Sequence, residues 1–138
     1  MTLLNPLKKG LLLYGDASQE PRSAAALVEY GNAYQEAGRP NDALDFYSQA
    51  GYEEGIEEIA RGAQQEGDYF LFHRAAVLTG KEPETGDLKA LAENALKKGW
   101  LVFARQAFEA AGDKKGIKRV EGELDTAGFV PKEAPSES

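Results

Sequence analysis

The chain has no cysteine and a single histidine, His73, in 138 residues. No disulfide framework is available to it, and thiolate chemistry is excluded. Almost every transition-metal site is excluded too, because such sites need clustered thiolate or imidazole ligands. No uninterrupted apolar stretch approaches the roughly 20 residues of a membrane-spanning helix. The formal net charge of -7 argues against a general nucleic-acid binder, which concentrates positive charge to displace phosphate counterions. Nothing reads as a glycine-rich turn ending in Lys-Ser/Thr, so no phosphate loop is present. Residues 1–14 are leucine-rich, but Lys8 and Lys9 interrupt the run and no small-residue cleavage site follows. The N-terminus is therefore read as a mature helix, with no membrane partner and a cytoplasmic location.

What is present is a spacing. Gly38 to Gly51, Gly67 to Gly80 and Gly99 to Gly112 each enclose twelve residues. Counting back from each opening glycine gives four columns: Leu27, Ile56 and Leu88; Tyr30, Ile59 and Leu91; Gly31, Ala60 and Ala92; Tyr34, Ala63 and Ala95. Offsets of three and four place these columns on one helical face. The third column is always small, which lets a neighbouring helix come close. Counting forward gives Ala43, Phe72 and Ala104; Tyr47, Ala76 and Phe108; Ala50, Thr79 and Ala111. In the middle unit the large and small members trade places, which reads as volume-conserving repacking.

Each glycine closes a helix in the left-handed conformation, so the unit is helix, tight turn, helix, turn. The expected units are 24–51, 53–80 and 85–112, followed by a terminal first-type helix at 114–127 that carries Ile117, Val120 and Leu124. Along Leu27, Ile56, Leu88 and Ile117 the periods are 29, 32 and 29 residues, and the added length lies in the link from Lys81 to Gly86. Residues 1–15 are expected to form a capping helix through Leu7, Leu11 and Tyr14, and residues 16–22 a linker. Residues 129–138 lack core formers and are expected to be a disordered tail.

Several features invite a chemical reading. His73 is the only imidazole available as a general base, and no serine stands near it in sequence to be activated. Glu53, Glu54, Glu57 and Glu58 share a helix start, where negative charge is favoured, and they lack the glycine-centred loop of a calcium site. No metal or cofactor is implied. The charges are unevenly spread. Residues 40–70 hold eight acids against Arg61, whereas residues 88–120 hold eight bases against Glu93, Glu109 and Asp113. Such polarity can steer a bipolar partner or align copies of the chain. Tyr69, Phe70 and Trp100 fall outside the buried columns, and if exposed they would serve as contact anchors.

On Leu27, Tyr30, Gly31, Tyr34, Ala43, Tyr47 and Ala50, with Ala104, Phe108 and Ala111 repeating the pattern, the chain resembles the tetratricopeptide repeat (TPR) family over about 22–128. The units are shorter than the family's 34 residues, and none ends in the customary proline. The resemblance implies an all-α fold: a TPR-like α-solenoid of about seven helices in antiparallel helix-turn-helix repeats. It also implies a concave face, built from the first helix of each unit, that holds a peptide or a partner helix. Carried onto this sequence, that face presents Asn32, Gln35, Glu57, Arg61, Gln64, Lys89, Glu93, Lys97 and Lys118. The carboxylate clamp of some family members is matched at Asn32 alone, with Val28, Glu58, Gly86 and Ala90 at its other four places. The expected function is a non-catalytic protein-binding scaffold. Self-assembly into a homo-oligomer is the alternative, and a catalytic or small-ligand domain centred on His73 ranks last.

Overall fold

The structure, a computed structural model, describes residues 23–127. The expected capping helix, the linker at 16–22 and the tail at 129–138 lie outside the described residues. Among the described residues the chain is all-α, with seven helices and no strand: α1 (Ala24–Glu36), α2 (Pro40–Ala50), α3 (Glu53–Glu66), α4 (Tyr69–Thr79), α5 (Thr85–Lys97), α6 (Leu101–Ala111) and α7 (Lys114–Ala127).

Local chemistry sets the helix ends. Ser23 Oγ accepts the Ala26 amide at 3.1 Å, Asp68 Oδ1 the Leu71 amide at 3.1 Å and Asp113 Oδ1 the Gly116 amide at 3.1 Å. Each bond satisfies an amide that a helix start otherwise leaves open. Pro40 opens α2, where its missing N–H has no role to fill. At the opposite ends all six turn glycines have positive φ, between 68° and 83°, as the spacing predicts. At five of them the following amide also closes on the carbonyl five residues back, as Tyr52 does on Tyr47 at 2.9 Å and Asp113 on Phe108 at 3.0 Å. Gly80 is the exception. There the Lys81 amide meets Thr79 Oγ1 at 3.4 Å, and the chain runs on to Glu84 before α5 begins.

The helices pack α1 on α2, α3 on α4, and α5 on both α6 and α3, with α7 laid on α6. Within the first pair α2 runs back along α1, since Tyr34 near the turn stacks on Phe46 and Gly31 farther from it meets Tyr47. The sequence columns form the core: Leu27, Ile56, Leu88, Ile59, Leu91, Tyr34, Ala63 and Ala95 are buried, and Tyr30 packs on them half-buried. A further column, Phe46, Ala75 and Ala107, is buried as well and was not among those expected. Phe46 stacks on Tyr34 with ring centroids 5.2 Å apart and meets Tyr30 at 5.6 Å. Fully burying a ring of this kind contributes about 1.5–3 kcal/mol, so Phe46 helps hold the first helix pair together.

Candidate binding surface

Of the nine residues carried over from the TPR resemblance, five are bonded within the chain. Asn32 Oδ1 accepts the Tyr47 hydroxyl proton at 2.5 Å, and Gln35 Nε2 donates to the Tyr47 hydroxyl oxygen at 3.2 Å. Burial pushes the Tyr47 phenol up in pKa, and the Gln35 bond only partly opposes it. Glu57 accepts from Lys81 Nζ, which also lies 3.6 Å from Glu53. That bond holds the Glu57 carboxyl below its ordinary value and raises the Lys81 ammonium. Gln64 Nε2 donates to the Asp87 carbonyl at 3.1 Å, and its own carbonyl accepts from Asn94 Nδ2 at 2.8 Å. Glu93 takes both arms of the Arg119 guanidinium, at 2.7 and 2.8 Å, and its carboxyl is lowered by that bond.

Arg61, Lys89, Lys97 and Lys118 are exposed and carry no hydrogen bond or ion pair to another described residue. Part of the charge asymmetry read in the sequence is neutralised inside the chain, since Lys98 pairs with Glu66 and Lys81 with Glu57. Of the three aromatics singled out, Phe70 is 58% and Trp100 40% exposed, while Tyr69 is half-buried and stacks on His73 with centroids 5.5 Å apart. Lys98 lies over the Trp100 ring at 5.2 Å. Among the described residues no three histidine or acidic side chains converge on a point.

Two concavities stand out: one of about 590 Å³ between α6 and α7, lined by Leu101, Val102, Arg105, Gln106, Glu109 and Leu124, and a smaller one between α3, α4 and the start of α5 that has a cause in the repeat pattern. At the α2–α3 junction Tyr47 occupies the space beside two glycines. A Cβ on Gly31 would stand 2.4 Å from its ring, and one on Gly55 would stand 2.8 Å from it. At the α6–α7 junction Phe108 does the same, with a Cβ on Gly116 meeting the ring at 2.3 Å. Gly55 and Gly116 each precede the first column residue of their helix. In the middle of the chain the corresponding residues are Ala76 and Asp87, so both the ring and the glycine are missing.

A cavity of about 460 Å³ opens at that place. Its floor is Ile56, Ala60, Phe72, Ala75 and Ala76. Around the mouth stand Glu57, Arg61, Gln64, Thr79, Asp87 and the link residues Lys81 to Glu84. The exchange of Phe72 and Ala76 is thus not the volume-conserving repacking read from the sequence. Phe72 is buried, but its ring forms a wall of the cavity and does not fill it. The signals were visible beforehand as Ala76, Asp87 and the three-residue longer period. They belong together once the column that contains Gly55, Asp87 and Gly116 is set beside the other columns.

Comparison of the chain with family models, with curated proteins and with solved structures returns no match. No helix among the described residues is long and apolar enough to cross a membrane.

Proposed function

We propose that this protein is a non-catalytic, TPR-like scaffold of the cytoplasm that holds a peptide or partner helix along α3 and α5. The observation that carries this reading is the open middle junction: an apolar floor with a charged mouth, set between two first-type helices. Lys89 and Lys97 supply the charged rim that a partner crosses, and Lys118 extends it onto α7. Asn32, Gln35 and Glu93, which also hold neighbouring elements in place, complete the face. Affinity purification of the tagged protein from its native cells, wild type against Lys89→Glu plus Lys97→Glu, tests the reading. Loss of a co-purifying protein in the double variant supports it, and an unchanged set of partners overturns it.

Self-assembly has one observation in its favour. Phe70, Val77 and Val102 are 58%, 64% and 65% exposed on α4 and α6, and Phe70 and Val77, seven residues apart, share one face of α4, where a contiguous apolar patch would serve as a contact surface. A molar mass that rises with concentration in static light scattering, and returns to the monomer value in Phe70→Ser plus Val77→Ser, would favour this second reading. A monomer across the whole concentration range removes it.

A further inference from the structure

We infer that the cavity between α3, α4 and the start of α5 is a socket for an aromatic side chain carried on a basic peptide segment. The inference rests on the peptide-binding reading above and names what such a peptide must bring at the socket; the partner is then bipolar, acidic where it crosses Lys89 and Lys97 and basic beside the inserted ring.

The chain itself shows what this place accepts. At the two junctions flanking it, the same position of the second helix supplies a ring: Tyr47 on one side and Phe108 on the other. Each ring packs against the next first-type helix. At the middle junction the supporting surface is retained, with Ile56, Ala60 and Ala75 as floor and the Phe72 ring as wall, but the residue that would carry the inserted ring is Ala76. The cavity is therefore shaped by a repeat that elsewhere encloses an aromatic residue and here is left open at the surface. Its volume of about 460 Å³ lies in the range of pockets that hold small organic groups, roughly 300–1,000 Å³. A ring entering it gains an aromatic neighbour in Phe72 and buries against alanine and isoleucine, which is how anchor residues dominate peptide affinity.

The mouth sets the charge of the flanking residues. Glu57, Glu82, Glu84 and Asp87 face Arg61 and Lys81 across it, and Lys81 is already held by Glu57 and Glu53. The balance is negative, so arginine or lysine beside the inserted ring is complementary and acidic residues there are repelled.

The test uses the full chain, ¹⁵N-labelled, and three blocked tripeptides followed by amide chemical shifts. Acetyl-Arg-Phe-Arg-amide is expected to shift the Ala60, Ala76 and Thr79 amides. Acetyl-Arg-Ala-Arg-amide and acetyl-Glu-Phe-Glu-amide are each expected to bind at least about tenfold more weakly, since one lacks the anchor and the other reverses the charge match. Ala76→Phe, which restores the chain's own ring, is expected to abolish the response. If that variant loses its helical circular dichroism, Ala76→Leu serves in its place.

Shifts that are absent from these amides, equal for the phenylalanine and alanine peptides, or unchanged in the filled variant overturn the socket. Its failure is distinct from failure of the scaffold reading. A socket that rejects the peptide leaves the effect of Lys89→Glu plus Lys97→Glu on co-purification intact, and the converse result leaves the socket standing without its proposed groove.

Discussion

At two of the three places where a second-type helix hands over to the next first-type helix, a ring lies against a glycine; at the third neither is present. Tyr47 beside Gly55 and Phe108 beside Gly116 bring α2 to α3 and α6 to α7 with no room for even a methyl group. Between α4 and α5, Ala76 and Asp87 stand in their places, the turn after Gly80 lacks the closing bond that the other glycine turns make, and a cavity remains where the ring would sit; the cavity between α6 and α7 is lined by neither Phe108 nor Gly116. Here two different sequence features control two different things. Glycine turns fix where helices end, and the ring-and-glycine pairs fix how tightly successive units meet. A repeat protein can therefore keep its helices and still open one junction by changing two residues and lengthening one link.

The sharpest way to break this comparison is to open a closed junction. Phe108→Ala is expected to cost about 3–5 kcal/mol in chemical denaturation, because a fully buried ring is deleted and Gly116 cannot fill the gap. Loss below about 1 kcal/mol would show that the ring does not hold α6 to α7.

Overfilling the same junction comes next. Gly116→Ala places a Cβ 2.3 Å from the Phe108 ring, and it is expected to destabilise by about 1–3 kcal/mol. Gly62→Ala, in the exposed interior of α3, meets nothing within 4 Å and is expected to stabilise by roughly 0.5–1 kcal/mol through helix propensity. Opposite signs from the same chemical change would confirm that contact, and not backbone freedom, makes Gly116 necessary.

Smaller effects separate the polar contacts. Tyr47→Phe removes the bonds to Asn32 and Gln35 and is expected to cost about 0.5–1.5 kcal/mol near neutral pH. Because the folded-state pKa of Tyr47 is raised, its neutral form favours folding below the ordinary tyrosine value of about 10 and that contribution is lost as pH rises toward the folded value. The gap between wild type and Tyr47→Phe should therefore shrink when unfolding is measured at increasingly alkaline pH. Arg119→Ala is expected to cost no more than about 1 kcal/mol, since both partners are half-exposed. The Glu93 carboxyl is lowered in the folded chain, so its contribution is present above the carboxylate range and fades as pH falls through the folded value. Acid titration of the wild type should show a loss that Arg119→Ala lacks.

Much of the fold could be read from the sequence because its determinants are local. A positive φ at a helix end needs glycine, and large and small residues at offsets of three and four declare a buried face. Leu27, Ile56, Leu88 and their companion columns followed from that alone. The surface was harder to read, since whether Gln64 points to solvent or to Asp87, or Glu93 to a partner or to Arg119, depends on how one unit is rotated against the next. That rotation is set by ring-and-glycine pairs that bridge units, as Tyr47 does with Gly55 and Phe108 with Gly116. The sequence columns leave open that five of the nine expected contact side chains also bond within the chain, Glu57 and Gln64 among them at the mouth of the cavity.

The paired measurement that weighs the two kinds of junction against each other is the unfolding free energy of Ala76→Phe beside that of Phe108→Ala. If the middle junction is an open version of its neighbours, adding the ring at position 76 changes stability by less than about 1 kcal/mol or raises it, while removing the ring at 108 costs about 3–5 kcal/mol. A loss of about 3 kcal/mol in Ala76→Phe, the penalty for forcing a ring into a filled core, would contradict it.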